Sequence, residues 1–209
     1  MDPPDLYRCR LDRTMATQLD YGPGTVMVLG LSQARKRKRQ FDAVITLEDP
    51  ACRPASRLRF HRHPSPAHLV LAFEDVDDDR LGIRVATPEQ VAEALEFATR
   101  YTEAALLVHC FHGVGRSAAI ALAIIADRLG AGQEPAAIST LLTIQPDATP
   151  NLVVVRHADQ ILGRQGGLIA AVERWEANTP GLNERREARR NFALANPGLY
   201  AHFQRTSAS

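Results

Sequence analysis

Ala104-Ala105-Leu106-Leu107-Val108-His109-Cys110-Phe111-His112-Gly113-Val114-Gly115-Arg116-Ser117-Ala118-Ala119-Ile120 is the stretch on which the fold turns. Residues 104–108 are a short continuous apolar run, as expected of a central parallel strand buried on both faces. Residues 109–116 form a glycine-bearing loop. Residues 117–129 are then mostly apolar and stop at Gly130, as a buried helix stops before a glycine. Strand, loop and helix N-terminus in this order gather backbone N–H groups into one small volume. The helix dipole adds roughly half a positive charge there, so the arrangement suits an anion. Gly113 and Gly115 let the backbone curl tightly and approach a ligand closely.

Working outward, residues 25–31, 41–47 and 68–73 read as three further strands. The third is closed by the acidic stretch Glu74-Asp75-Val76-Asp77-Asp78-Asp79, whose last three residues read as a solvated tip. A helix begins near Thr87-Pro88-Glu89-Gln90, which has a capping threonine, a proline at the first helical position and a glutamine three residues after the cap. Helices also follow near 134–144, 151–162 and 167–178. Strands alternating with helices predict an α/β fold: one domain, with a largely parallel central sheet flanked by helices on both faces. That domain spans residues 1–178, and residues 179–209 read as a charged helix followed by a frayed tail. Residues 50–67 are rich in Pro, Arg and His and read as loop. The basic run Arg35-Lys36-Arg37-Lys38-Arg39 reads as a solvated helix or turn between two strands rather than a recruitment site.

Bulk properties narrow the function. The chain has 209 residues, 45% of them hydrophobic and 23% charged, with a formal net charge of +1, so it is not built as a polyanion binder and no nucleic-acid partner is expected. Three cysteines, Cys9, Cys52 and Cys110, form no disulfide framework, and their spacing suggests no metal site. No apolar run is long enough for a membrane span. The opening Met1-Asp2-Pro3-Pro4-Asp5 is unlike a signal peptide. A reducing cytoplasm fits these features. No cofactor is implied, and the oligomeric state cannot be read from them.

Cys110 and Arg116 are separated by five residues, enough for a loop that wraps a tetrahedral anion with the thiol beneath and the guanidinium beside it. The field of the helix N-terminus and the neighbouring cation favours a reactive thiolate. Arg116 holds two oxygens in its planar fork, which a lysine does not reproduce. A buried strand-end cysteine is common by itself; the spacing, the two glycines and the flanking strand and helix together outweigh that reading. A proton donor is also needed opposite the thiol, on a loop leaving the C-terminal end of a nearby strand. Asp75 has that position. Asp77 and Asp78 compete with it, and Asp79 and Glu74 are further candidates.

His109-Cys110-x-x-Gly113-x-x-Arg116-Ser117 resembles the His-Cys-x5-Arg-Ser/Thr loop of protein tyrosine phosphatases, most closely the compact dual-specificity branch and its bacterial relatives. The likeness runs from about residue 20 to 175 and is specific at the loop. It implies a phosphate-monoester hydrolase acting on phosphotyrosine or dual-specificity phosphoprotein substrates, or on a small phosphate ester. Cys110 would form a phosphocysteine, and Arg116 with the amides of Phe111, His112, Gly113, Val114, Gly115 and Arg116 would hold the phosphoryl oxygens. His109 would position the loop, Ser117 would hydrogen-bond the sulfur, and Asn151 would support the loop from outside. An aspartate some thirty residues before the cysteine, here Asp75, would be the general acid.

The chain also departs from that pattern. It has no Trp-Pro-Asp triplet, its one tryptophan is Trp175, and the loop has no lysine. Gly115 stands where relatives often have serine, and Gln145 where an arginine is expected before Pro146. Two other functions compete. A rhodanese-like sulfurtransferase uses a loop one residue shorter, and a non-catalytic phospho-binding module is expected to have lost the cysteine, the arginine or the acid. His61, His63 and His68 cluster loosely without metal-ligand spacing. Cys52 reads as an ordinary cysteine rather than a redox partner of Cys110. The physiological substrate stays open.

Overall fold

A computed structural model describes residues 22–203. Four strands, β1 (Val26–Gly30), β2 (Ala43–Glu48), β3 (Ala67–Ala72) and β4 (Leu106–Cys110), form one sheet in the order β1-β4-β2-β3, with every pairing parallel. All four therefore end at the same edge. The α/β expectation holds. Every residue of β4 is buried, as a central strand requires.

The two faces are covered unequally. Alternation along β2 and β4 sends Val44 and Leu107 to one side, where they pack on Leu31 and Ala34 of α1 (Leu31–Arg37) and on Phe41 and Leu58. Ile45, Leu47, Leu106 and Val108 point to the other side, into the main core. There α2 (Pro88–Arg100), α3 (Arg116–Leu129), α4 (Glu134–Ile144), α5 (Leu152–Ile161) and α6 (Gly167–Ala177) form a helical layer around α3. α3 is buried from Arg116 to Ala126, which explains why its sequence shows no polar face.

Local signals set several boundaries. Thr87 caps α2 through its Oγ1, which accepts from Gln90 N at 3.3 Å, while Gln90 Oε1 accepts from Thr87 N at 3.2 Å. Such a capping box contributes about 1 kcal/mol. The basic run is not simply solvated. Lys38 and Arg35 donate to carbonyls of Arg59 and Ala55, and Arg39 donates to those of Pro64 and Arg62, each at 3.0 Å. These side chains fasten the irregular 50–67 loop to the body.

The largest difference from the sequence reading lies at the C-terminus. α7 (Leu182–Ala195) and residues 196–203 pack on the β3–α2 loop, and Ile83 and His202 form an antiparallel bridge. The acidic tip is solvated only at Asp79, because Asp77 and Asp78 pair with arginines of α7. Unlike charges separated by a hundred residues meet and neutralise each other, which local composition does not reveal. Residues 204–209 of the expected tail, and Cys9, lie outside the described residues. Among the described residues, no helix is long and apolar enough to cross a membrane.

A buried polar line crosses three strands. Thr46 Oγ1, on β2, lies 2.8 Å from His109 Nε2 on β4 and 2.7 Å from His68 Nε2 on β3. Burial pushes both imidazoles down from 6.5 to about 4, so both are neutral at pH 7. In the unfolded chain they bind protons near pH 6.5. Between pH 6.5 and 4 the unfolded state therefore carries more protons, and stability falls as pH falls. Glu74, raised above its ordinary value by burial, acts in the opposite sense. His68→Gln keeps a donor for Thr46 but does not titrate. It is expected to flatten the fall of the thermal midpoint across this window, and a slope equal to that of the wild type would assign the loss to other groups.

Candidate active site

The C-terminal ends of parallel strands are where an open α/β sheet presents its loops to a ligand. Here the end of β4 becomes the 111–115 loop, which enters α3 at Arg116. Gly113 adopts φ +82°, and a β-carbon there would run into the backbone of Leu29 and Gly30 at the end of β1. Only glycine meets both conditions.

The loop's carbonyls are drawn outward. Phe111 O accepts from Leu31 N at 3.0 Å and Gly113 O from Gln145 Nε2 at 2.9 Å. Val114 O accepts from Thr149 N at 2.7 Å, and Gly115 O from Ala119 N at 3.0 Å and Asn151 N at 3.3 Å. In a trans peptide the N–H points opposite to the carbonyl, so this outer ring of donors turns the intervening amides toward the loop's concave side. Gly113 N donates to Cys110 Sγ at 3.2 Å, and Ser117 Oγ lies 3.2 Å from the same sulfur. Cys110 itself is 2% exposed at the base of the recess. His109 stands behind it, with Nδ1 3.4 Å from the Cys110 carbonyl.

Arg116 is 3% exposed. Its Nη1 donates to Phe73 O at 2.7 Å and pairs with Asp49 at 2.8 Å. Its Nε lies 4.0 Å from an Asp75 oxygen and has no hydrogen-bond acceptor although it is buried. Burial works against the guanidinium's charge, but Asp75, Cys110, Asp49 and Glu74 outweigh it and raise its pKa above the ordinary value. One edge of the fork is thus anchored, and the buried Nε is left without an acceptor.

Asp75 lies across the loop. Its Oδ1 accepts from Asn151 Nδ2 at 3.1 Å. Its carboxylate rests against Gly115 so closely that a β-carbon there would overlap it. This accounts for glycine at a position where serine was expected. Asn151 also donates to Val76 O at 3.1 Å and caps α5 by accepting from Val153 N and Val154 N. Asp77 and Asp78 face α5 and α7 instead: Asp77 Oδ1 accepts from Leu152 N at 2.9 Å, and Asp78 is held by Arg80 and Arg190.

Cys110, Arg116, Asp75, His109, Ser117, Asn151 and the 111–115 loop gather here, whereas Asp77 and Asp78 do not. Phe111, 52% exposed, and His112 stand at the mouth with rings edge to face, 4.9 Å apart. The cleft has a volume of about 970 Å³, and Asp49, Tyr200 and Arg189 contribute to its walls. Cys52, half-buried, lines the recess next to Cys110. Sequence reading missed Asp49, Thr149 and Tyr200, and it noted Gln145 only as a departure. Asp49 had one usable signal, its place directly after a strand whose end faces the site; the others had none.

No protein-family model and no curated protein matches the sequence. Solved structures do. The human tyrosine phosphatase-like serine/threonine/tyrosine-interacting protein is 17% identical, with a TM-score of 0.50 over 65% of this chain and 89% of that one. PTPMT1 in complex with PI(5)P is 19% identical, with a TM-score of 0.47 over 68% of this chain and 95% of that one. Human DUSP28 is 20% identical, with a TM-score of 0.45 over 74% and 95%. At these identities the likeness is one of fold: the chain has a tyrosine-phosphatase-like α/β fold, with its Cys-x5-Arg loop between the central strand and the central helix.

Proposed function

We propose that the chain is a cysteine-dependent phosphatase that hydrolyses phosphate monoesters through a phosphocysteine, with phosphotyrosine or dual-specificity phosphoproteins as the substrate class. The observation that carries this reading is the buried Nε of Arg116, which lacks an acceptor and belongs to a residue that lines one recess together with Cys110. A tetrahedral oxyanion supplies the missing acceptor. It also meets the inward-turned amides and the N-terminus of α3.

In the first step the Cys110 thiolate attacks phosphorus in line with the leaving oxygen. The S–P bond forms, the P–O bond breaks, and Asp75 delivers a proton to the departing oxygen. In the second step water attacks the phosphocysteine, Asp75 takes its proton, and Ser117 Oγ donates to the sulfur as it leaves. Arg116 and the loop amides hold the equatorial oxygens throughout, where charge is spread in the transition state. Asn151 sets the Asp75 carboxylate through its 3.1 Å hydrogen bond. The presence of cysteine, arginine and acid together favours catalysis over simple phospho-binding. The five-residue interval favours phosphate over a sulfurtransferase substrate.

Cys110→Ser is expected to reduce hydrolysis of an aryl phosphate to background while the fold persists, and phosphate or vanadate should protect the wild-type thiol from alkylation. Turnover by the serine variant near the wild-type rate excludes the covalent route. Asp75→Asn is expected to lose about 10²–10⁴-fold on a phosphate ester with a poor leaving group and far less on p-nitrophenyl phosphate. Equal losses on the two esters would move the acid elsewhere. Gly115→Ala, whose methyl group would occupy the place of the Asp75 carboxylate, should reproduce the leaving-group selectivity of Asp75→Asn in milder form.

A further inference from the structure

We infer that α7 and residues 196–203 form a clamp that fixes the Asp75 loop over the Cys110 cleft, with Arg186 as its positioning residue. The inference rests on the reading of Asp75 as the general acid.

The loop after β3 has five carboxylates among residues 74–79. Their mutual repulsion alone would spread the loop away from the body. α7 opposes this with three arginines on two successive turns of one face. Arg186 Nη1 meets Asp77 Oδ2 at 2.9 Å, Arg189 Nη2 meets the same oxygen at 3.1 Å, and Arg190 Nε meets Asp78 Oδ2 at 3.3 Å. The other oxygen of Asp77 accepts from Leu152 N, so this carboxylate is gripped between the start of α5 and the side chains of α7.

These contacts differ in weight. The side chains of Arg189 and Arg190 are 35% and 51% exposed, and exposed pairs contribute little. Arg186 is 10% exposed, and its partners Asp77 and Glu176 are 18% and 9% exposed. It also donates to Pro150 O at 2.9 Å, the residue before Asn151. Asn151 in turn holds Asp75 Oδ1 and Val76 O. Arg186 therefore fixes both the residue two positions after Asp75 and the element that orients Asp75. Removing it leaves the buried Glu176 without its cation and Asp77 with only the more exposed Arg189, an outcome costlier than losing a surface pair.

The other flank of Asp75 is held by the segment after α7. Ala201 N donates to Glu74 Oε1 at 2.9 Å, Arg84 N to Ala201 O at 2.7 Å, and Phe203 N to Gly82 O at 3.1 Å. Tyr200, between these contacts, lines the cleft. Asp75 is thus bracketed on both sides by the last described part of the chain, and the loop is strapped rather than free to swing as a lid.

A clamp of this kind predicts a selective defect. Arg186→Gln should lose on the order of ten-fold in kcat on an alkyl phosphate, where protonation of the leaving group limits the rate, and about two-fold or less on p-nitrophenyl phosphate. Amide hydrogen exchange of residues 75–78 should quicken in the variant while that of residues 111–116 does not. Asp77→Asn added to Arg186→Gln should cost less than the sum of the two single effects, because the two side chains share one contact. If Arg186→Gln does not fold, Arg189→Gln with Arg190→Gln carries the same test on exposed side chains, with a smaller selectivity of the same sign. Equal losses on both esters, or unchanged exchange at 75–78, overturn the clamp. A wild type that hydrolyses neither ester overturns the phosphatase reading instead; quickened exchange at 75–78 would then still show that Arg186 straps the loop.

Discussion

A guanidinium buried to 3% exposure at the first residue of a helix is opposed twice, by lost hydration and by the positive end of the helix dipole. Arg116 persists there because three groups from other strand ends converge on it: Asp49 after β2, and the Phe73 carbonyl and Asp75 after β3. That convergence needs the strands to be parallel and to end together. It also needs α3 to start at the end of β4, in the middle of the sheet. The sheet order and the buried helix together make this one buried charge tolerable.

The loop around Cys110 is shaped from outside. Its carbonyls are held by Leu31, Gln145, Thr149 and Asn151, from the start of α1 and the connection between α4 and α5, and the orientation of its amides follows. Asn151 joins this ring to the acid side of the cleft. Its backbone N–H holds Gly115, its side-chain oxygen caps α5, and its side-chain nitrogen holds Asp75. A displacement of any of these groups is therefore felt by both halves of the cleft. Gly115 shows how little slack exists, since a single methyl group would overlap the Asp75 carboxylate.

Much of the architecture was legible because it is local. The apolar run before Cys110, the capping box at Thr87 and the glycine after Leu129 each act within a few residues, through hydrophobic burial or a neighbouring backbone group. The Cys-x5-Arg interval is equally local: strand, loop and helix N-terminus follow one another within a few residues. Asp75 was placed by the same logic, as the residue just past a strand that ends beside the cradle.

Tertiary structure alone decided what lies across the sequence. Asp77 and Asp78 carry the same local signal as Asp75, a carboxylate in an acidic loop. Their roles separated only when arginines 109 and 112 residues away came to lie on two of them. The basic run at 35–39 has the composition of a solvated helix, yet its side chains fasten a loop some twenty residues downstream. The C-terminal helix reads as an appendage for the same reason. The sequence by itself determined the strand–loop–helix order and the interval from Cys110 to Arg116, because short-range patterns carry them. Which carboxylate faces the cradle and what holds it there depended on charge pairing between distant segments, whose partners are set only once the chain has packed.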